Sequence, residues 1–152
     1  MRSRAVVFGL LLAGVSVLAA CNGSASSQGY AAVVPCVFPA GTTVTLAYPI
    51  PGATGVSDAL AQIVVAVSSP LPASWAVVLA AGTAGSTETS LTAIAPNAIP
   101  TPYAAPTSSP ISYESSSVVS GALPAGSGIA VLLEDTSSTC DGYPQVGTFT
   151  TQ

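Results

Sequence analysis

The chain has 152 residues but only two basic ones, Arg2 and Arg4, and no histidine, so from Cys21 to the end it carries no cationic side chain. Six carboxylates, Asp58, Glu88, Glu114, Glu134, Asp135 and Asp141, leave that part with a net charge of −6. Binding to a phosphate backbone depends on Lys and Arg displacing counterions, so nucleic acid is excluded as a partner. A serine nucleophile needs a His or Lys base, and imidazole metal centres need imidazoles, so serine triads and His-based metal sites are excluded as well. Chemistry by carboxylates, tyrosine or backbone groups, and calcium held by oxygen ligands, is what the composition leaves open. The expectation is a chain that is not an enzyme and carries no cofactor. Without cations there are no salt bridges in the domain, and stability rests on apolar burial, hydrogen bonds and any disulfide.

Long apolar runs are also lacking. The longest, Ala5 to Ala20, falls short of the roughly 20 residues a spanning helix needs, and it ends in the polar tract Asn22-Gly23-Ser24-Ala25-Ser26-Ser27-Gln28. Two arginines before a short apolar stretch that closes on small residues form an export signal. Leu18-Ala19-Ala20-Cys21 resembles the lipobox of bacterial lipoproteins. The resemblance implies diacylglycerol transfer to the Cys21 sulfur, cleavage before Cys21, acylation of the new N-terminus, and attachment to a membrane of the cell envelope, outer membrane or cell surface. Several acyl chains hold durably where one holds marginally, at about 0.8 kcal/mol per buried CH₂. The chain therefore divides into a signal peptide at 1–20, a flexible tether at 21–32 and one domain at 33–152. About 120 residues suffice for a domain with its own core. Asn22-Gly23-Ser24 matches a glycosylation acceptor by spacing alone and is assigned no role.

With Cys21 given to lipid, Cys36 and Cys140 form an even pair in an oxidising compartment, which predicts a structural disulfide. A reactive pair would call for a C-x-x-C spacing or a neighbouring cation, and neither is present.

The rest of the chain reads as short strands between Gly and Pro turns. Thr42 to Tyr48 alternates, with Val44, Leu46 and Tyr48 on one face; Gln62 to Ser68 is a β-branched run; Trp75 to Ala80 follows, with Trp75 as a core aromatic. A turn at Gly82 to Gly85 precedes an alternating stretch from Thr87 to Ile94. Ser112 to Val119, Ile129 to Glu134 and Gly147 to Thr151 complete the set, with Gly121 to Gly128 as a turn region. Ser57 to Gln62 has a cap and helix formers, so Val56 to Val67 has a short helical start as its alternative reading. Pro96, Pro100, Pro102, Pro106 and Pro110 exclude a central strand between them, because each lacks the ladder donor. That segment reads as an extended connection, a crossover between sheets, in preference to a polyproline ligand. The fold class expected is all-β, an antiparallel sandwich of about seven strands.

Several stretches resemble the bacterial Ig-like domains of surface and S-layer proteins. Tyr48-Pro49-Ile50-Pro51-Gly52-Ala53-Thr54-Gly55-Val56 is similar to that family's opening P-x-x-G-A-x-x-V, and Ile63 to Pro72 to its apolar strand ending in Ser-x-Pro. Leu123 to Gly128 resembles its L-x-x-G-T-x-Y turn, with Ile129 where an aromatic is usual, and Gly147 to Thr151 its closing G-x-F-x-T. The resemblance implies an Ig-like sandwich with a part in adhesion, spacing or envelope architecture, and brings no catalytic residues. Its partners would be the membrane, through Cys21, and an envelope protein or glycan.

Two further site readings come from the residues. Glu134, Asp135 and Asp141 flank Cys140 in the only acidic cluster, a weak candidate for calcium that reads better as a solvated loop. Tyr103, Tyr113 and Tyr143 are candidates for a sugar-stacking surface, with core packing as the alternative. A carbohydrate- or calcium-binding accessory domain is thus the second functional expectation. A small carboxylate-dependent hydrolase is the third, although no carboxylate pair is singled out for it.

Overall fold

A computed structural model describes residues 34–152 apart from 83 and 122; the signal segment, the tether and Cys21 lie outside the described residues. Eight strands form: β1 Val44–Tyr48, β2 Gln62–Val67, β3 Trp75–Ala81, β4 Ala84–Ser90, β5 Thr92–Ile94, β6 Ser112–Ser117, β7 Gly128–Asp135 and β8 Gln145–Thr150. They make two antiparallel four-stranded sheets, ordered β1-β2-β6-β5 and β4-β3-β7-β8. Lettered in chain order with β4 as C′ and β5 as D, the order is A-B-E-D against C′-C-F-G. The fold is an all-β sandwich, with eight strands where the sequence predicts about seven. The additional strand comes from the stretch Thr87 to Ile94, which divides at Leu91 so that β4 stays in one sheet and β5 joins the other.

The core follows from alternation. Ile129, Val131 and Leu133 of β7 point inward and meet Val77 and Leu79 of β3, Phe149 of β8, and Leu46 and Ile63 from the facing sheet. Trp75 is buried among them and lies 5.1 Å, centroid to centroid, from the Phe38 ring. β2 departs from alternation: Ile63 to Val67 are all buried. A strand that is apolar at every position needs cover on both faces. The proline-rich segment supplies it, laying Ile99 and Tyr103 over Ala47, Val64, Ala66 and Tyr113 on the outside of the β1-β2-β6-β5 sheet. Tyr103 meets Tyr113 edge to face at 5.9 Å, and the Ala104 amide donates to the Ala47 carbonyl oxygen at 2.9 Å. The segment does not cross between sheets: it joins β5 to β6, neighbours in one sheet, as a strap over that sheet's outer face. The chain changes sheet between β2 and β3, between β4 and β5, and between β6 and β7; the crossing that precedes the strap, at Leu91, holds no proline.

The helical alternative for Val56 to Val67 gives way to a turn and then β2. Ser57 Oγ accepts from the Ala59 amide and the Ser57 carbonyl accepts from Leu60, closing a hydroxyl-stabilised turn instead of a cap. Gly52 to Val56 runs beside β8, with the Gly52 and Val56 amides donating to the carbonyls of Thr148 and Thr150. The chain leaves β1 at Pro49 and covers the edge of the other sheet.

Candidate functional site

Strand register gives the sandwich two poles. At one, β1 starts, β2 ends, β3 starts and β7 turns into β8; the chain enters here. Cys36 and Cys140 are joined by a disulfide with Cα atoms 5.1 Å apart. Backbone bonds flank it, from the Cys36 amide to the Gly142 carbonyl at 2.7 Å and from the Asp141 amide to the Val34 carbonyl at 2.9 Å. The entering segment is therefore fixed to the β7–β8 loop covalently and by a short parallel bridge. At the opposite pole lie residues 49–61, the turn at Gly82, residues 118–121 and 123–127, and Thr151 just after β8.

The acidic cluster is at the entry pole, and its members have separate occupations. Asp135 Oδ1 accepts from the amide and the hydroxyl of Ser137, at 3.1 and 2.7 Å, which holds its carboxyl below the ordinary aspartate value. Glu134 Oε1 accepts from the Tyr143 hydroxyl at 3.0 Å, while its Oε2 is buried without a hydrogen-bond partner. Asp141 is exposed. Among the described residues no group of three or more His, Cys, Asp or Glu side chains is arranged to hold a metal ion.

The three tyrosines are divided between the sheets. Tyr103 and Tyr113 pack against each other under the strap, and burial raises the pKa of the Tyr113 hydroxyl, with Tyr103 adding to the effect. Tyr143 packs on the main core and bonds to Glu134. They do not make one stacking surface; the core-packing alternative describes Tyr113.

Two concavities went unmarked by sequence reading because their linings come from separate segments. An open groove of about 560 Å³ lies where β4 and β5 part, lined by Thr89, Ser90, Thr92, Ser115, Ser117 and Val119. Its polarity is hydroxyl alone, and it is braced by the Thr89 and Ser116 hydroxyls, which bond to each other between the sheets. At the pole opposite the chain entry, a hollow of about 210 Å³ is lined chiefly by Tyr48, Pro49, Ile50, Val56, Leu60 and Pro102, with Ile50 38% exposed at its rim. The first suits neutral hydroxylated ligands and the second apolar side chains.

Residues carrying the family resemblance have architectural roles. Gly52 takes a φ of +78° where the chain turns onto β8. Gly147 lies so close to β1 that a Cβ there would sit 2.6 Å from the Leu46 Cβ. Phe149 is core, and Thr151 Oγ1 donates to the Pro124 carbonyl at 2.6 Å while accepting from the Ser127 amide at 2.9 Å, pinning the turn before β7. No family model, curated protein or solved structure matches the chain.

Proposed function

We propose that this is an exported module, attached through lipid on Cys21 to a membrane of the cell envelope, outer membrane or cell surface, with a non-catalytic role in binding or envelope architecture. Leu18-Ala19-Ala20-Cys21 after the charged, apolar leader supports the address, and the strand order supports kinship with bacterial Ig-like surface domains. The observation that carries the reading is the polarity of the sandwich. Its entering strand is locked at one pole by Cys36–Cys140, and the apolar hollow around Ile50 opens at the other. A tether from Cys21 would join the domain at the locked pole, where residue 34 enters, and would leave the opposite pole open to contact.

A photo-crosslinking residue at Ile50, compared with one at Val37 near the disulfide, tests this in intact cells. One defined envelope partner captured from position 50 and not from 37 is the expected result. Equal capture from both positions, or none from either, contradicts a contact at the displayed pole.

A second reading, a carbohydrate-binding accessory domain, rests on the hydroxyl-lined groove beside β5. It predicts that neutral glycans raise the melting temperature of the soluble Cys21→Ala chain and that Ser117→Val removes the rise. No response across a glycan panel rejects it.

A further inference from the structure

The strap between β5 and β6 has two unlike halves. Residues 95–104 are docked: the Ala98 and Ile99 amides bond within a 3₁₀ turn, Ile99 is buried, and Ala104 bonds to β1. Residues 105–110 form no backbone hydrogen bond to any described residue. Within that half, where Pro106 and Ser108 border a small hollow with Thr43, Thr45 and Val67, Thr107, Ser108 and Ser109 are consecutive and exposed, bounded by Pro106 and Pro110. None of their three hydroxyls has a hydrogen-bond partner among the described residues. Some other loop hydroxyls are engaged by the fold, as Ser68 accepts from the Thr43 amide, Thr136 donates to the Ser74 carbonyl, and Ser137 donates to Asp135; what sets 107–109 apart is that three exposed hydroxyls stand in a row between prolines.

Resting on the export reading above, we propose that Thr107, Ser108 and Ser109 are acceptors for O-linked hexose, added during or after passage across the membrane. Ser/Thr tracts between prolines have the composition of O-glycosylated segments. The structure adds access, since the three hydroxyls face solvent and an enzyme can engage residues 105–110 without breaking a backbone hydrogen bond; exposed loop tips of small polar residues are likewise where proteases gain access to a chain. The donor is a hexose on a polyprenyl phosphate. The hydroxyl oxygen bonds to the sugar C1, the C1–O bond to phosphate breaks, polyprenyl phosphate leaves with that electron pair, and the hydroxyl proton passes to the transferase. Nothing is oxidised or reduced. The addition also places hydroxylated bulk on a domain whose sequence from Cys21 onward has only six charged side chains, one of them, Glu114, buried.

The test is mass spectrometry of the full chain purified from its own host. Cleavage after glutamate yields one peptide from Thr89 to Glu114 that contains the whole strap, and fragmentation then assigns any sugar. The expected result is whole hexose units on 107–109 in a chain that has lost residues 1–20, with loss of that hexose and an unchanged melting temperature in the triple variant Thr107→Ala, Ser108→Ala, Ser109→Ala. A processed chain whose strap peptide is sugar-free, or sugar located only elsewhere, overturns the inference while leaving export intact. A chain that still carries residues 1–20 overturns both.

Discussion

Gly147 decides how closely β8 can approach β1, because any side chain there meets the Leu46 Cβ, an atom fixed to the backbone. Gly147→Ala is therefore expected to destabilise the domain by about 1–3 kcal/mol, the usual cost of overpacking, measured by chemical denaturation. Leu46→Ala in the same chain should recover little, since the clash begins at Cβ. Asp135 makes a second prediction at this scale. Its hydrogen bonds from Ser137 favour the ionised form, so its folded pKa lies below the ordinary 3.8. The associated stabilisation is present above the unfolded value and is lost as pH falls through the folded one. Because the carboxyl is exposed, NMR titration is the measurement: the Asp135 midpoint should lie below ordinary aspartate and move up in Ser137→Ala. Individual residues were the most legible part of the sequence. Trp75, the alternating Ile129, Val131 and Leu133, and the Cys36–Cys140 pair all stand where reading from compartment, parity and period puts them. Glu114 was not legible, because its partner, the Leu71 amide at 2.9 Å, is 43 positions away and no local pattern announces it.

Among elements, the strap shows why local signals identify a segment's character better than its destination. Its prolines exclude a central strand, and that holds; they say nothing about which surface the segment covers. The missing signal was in β2, where five consecutive buried residues, Ile63 to Val67, require cover on the outer face. Ile99 is the strap's anchor in that second core. Ile99→Ala should cost about 2 kcal/mol, the low end for a buried isoleucine because the outer cluster is small, whereas Thr107→Ala should change stability by less than about 0.5 kcal/mol. Equal effects of the two in denaturation would show that the strap is not docked. The division of Thr87 to Ile94 at Leu91 was illegible for a related reason. A strand that changes sheets keeps its β-pattern through the switch, and only tertiary pairing separates Ala76↔Ser90 from Thr92↔Ser115. The concavities are of the same kind, each assembled from segments distant in sequence.

At the scale of the whole molecule, a domain without cations is held by two apolar layers and one covalent link. The link closes a separation of 104 residues, which in the chain-entropy account is worth about 4–5 kcal/mol. Reduction of the Cys21→Ala chain, or Cys36→Ser with Cys140→Ser, should lower the denaturation midpoint accordingly; an unchanged midpoint would mean that the entry pole is held by its backbone bonds alone. With the proposed lipid on Cys21, that link would carry any pull on the N-terminus into the sandwich. Fatty-acid labelling with membrane fractionation of the chain in its own host tests for that lipid. A labelled, membrane-bound chain beginning at Cys21 is expected, with an unlabelled, soluble one for Cys21→Ala; equal partition of both forms without label would mean that Cys21 is not acylated.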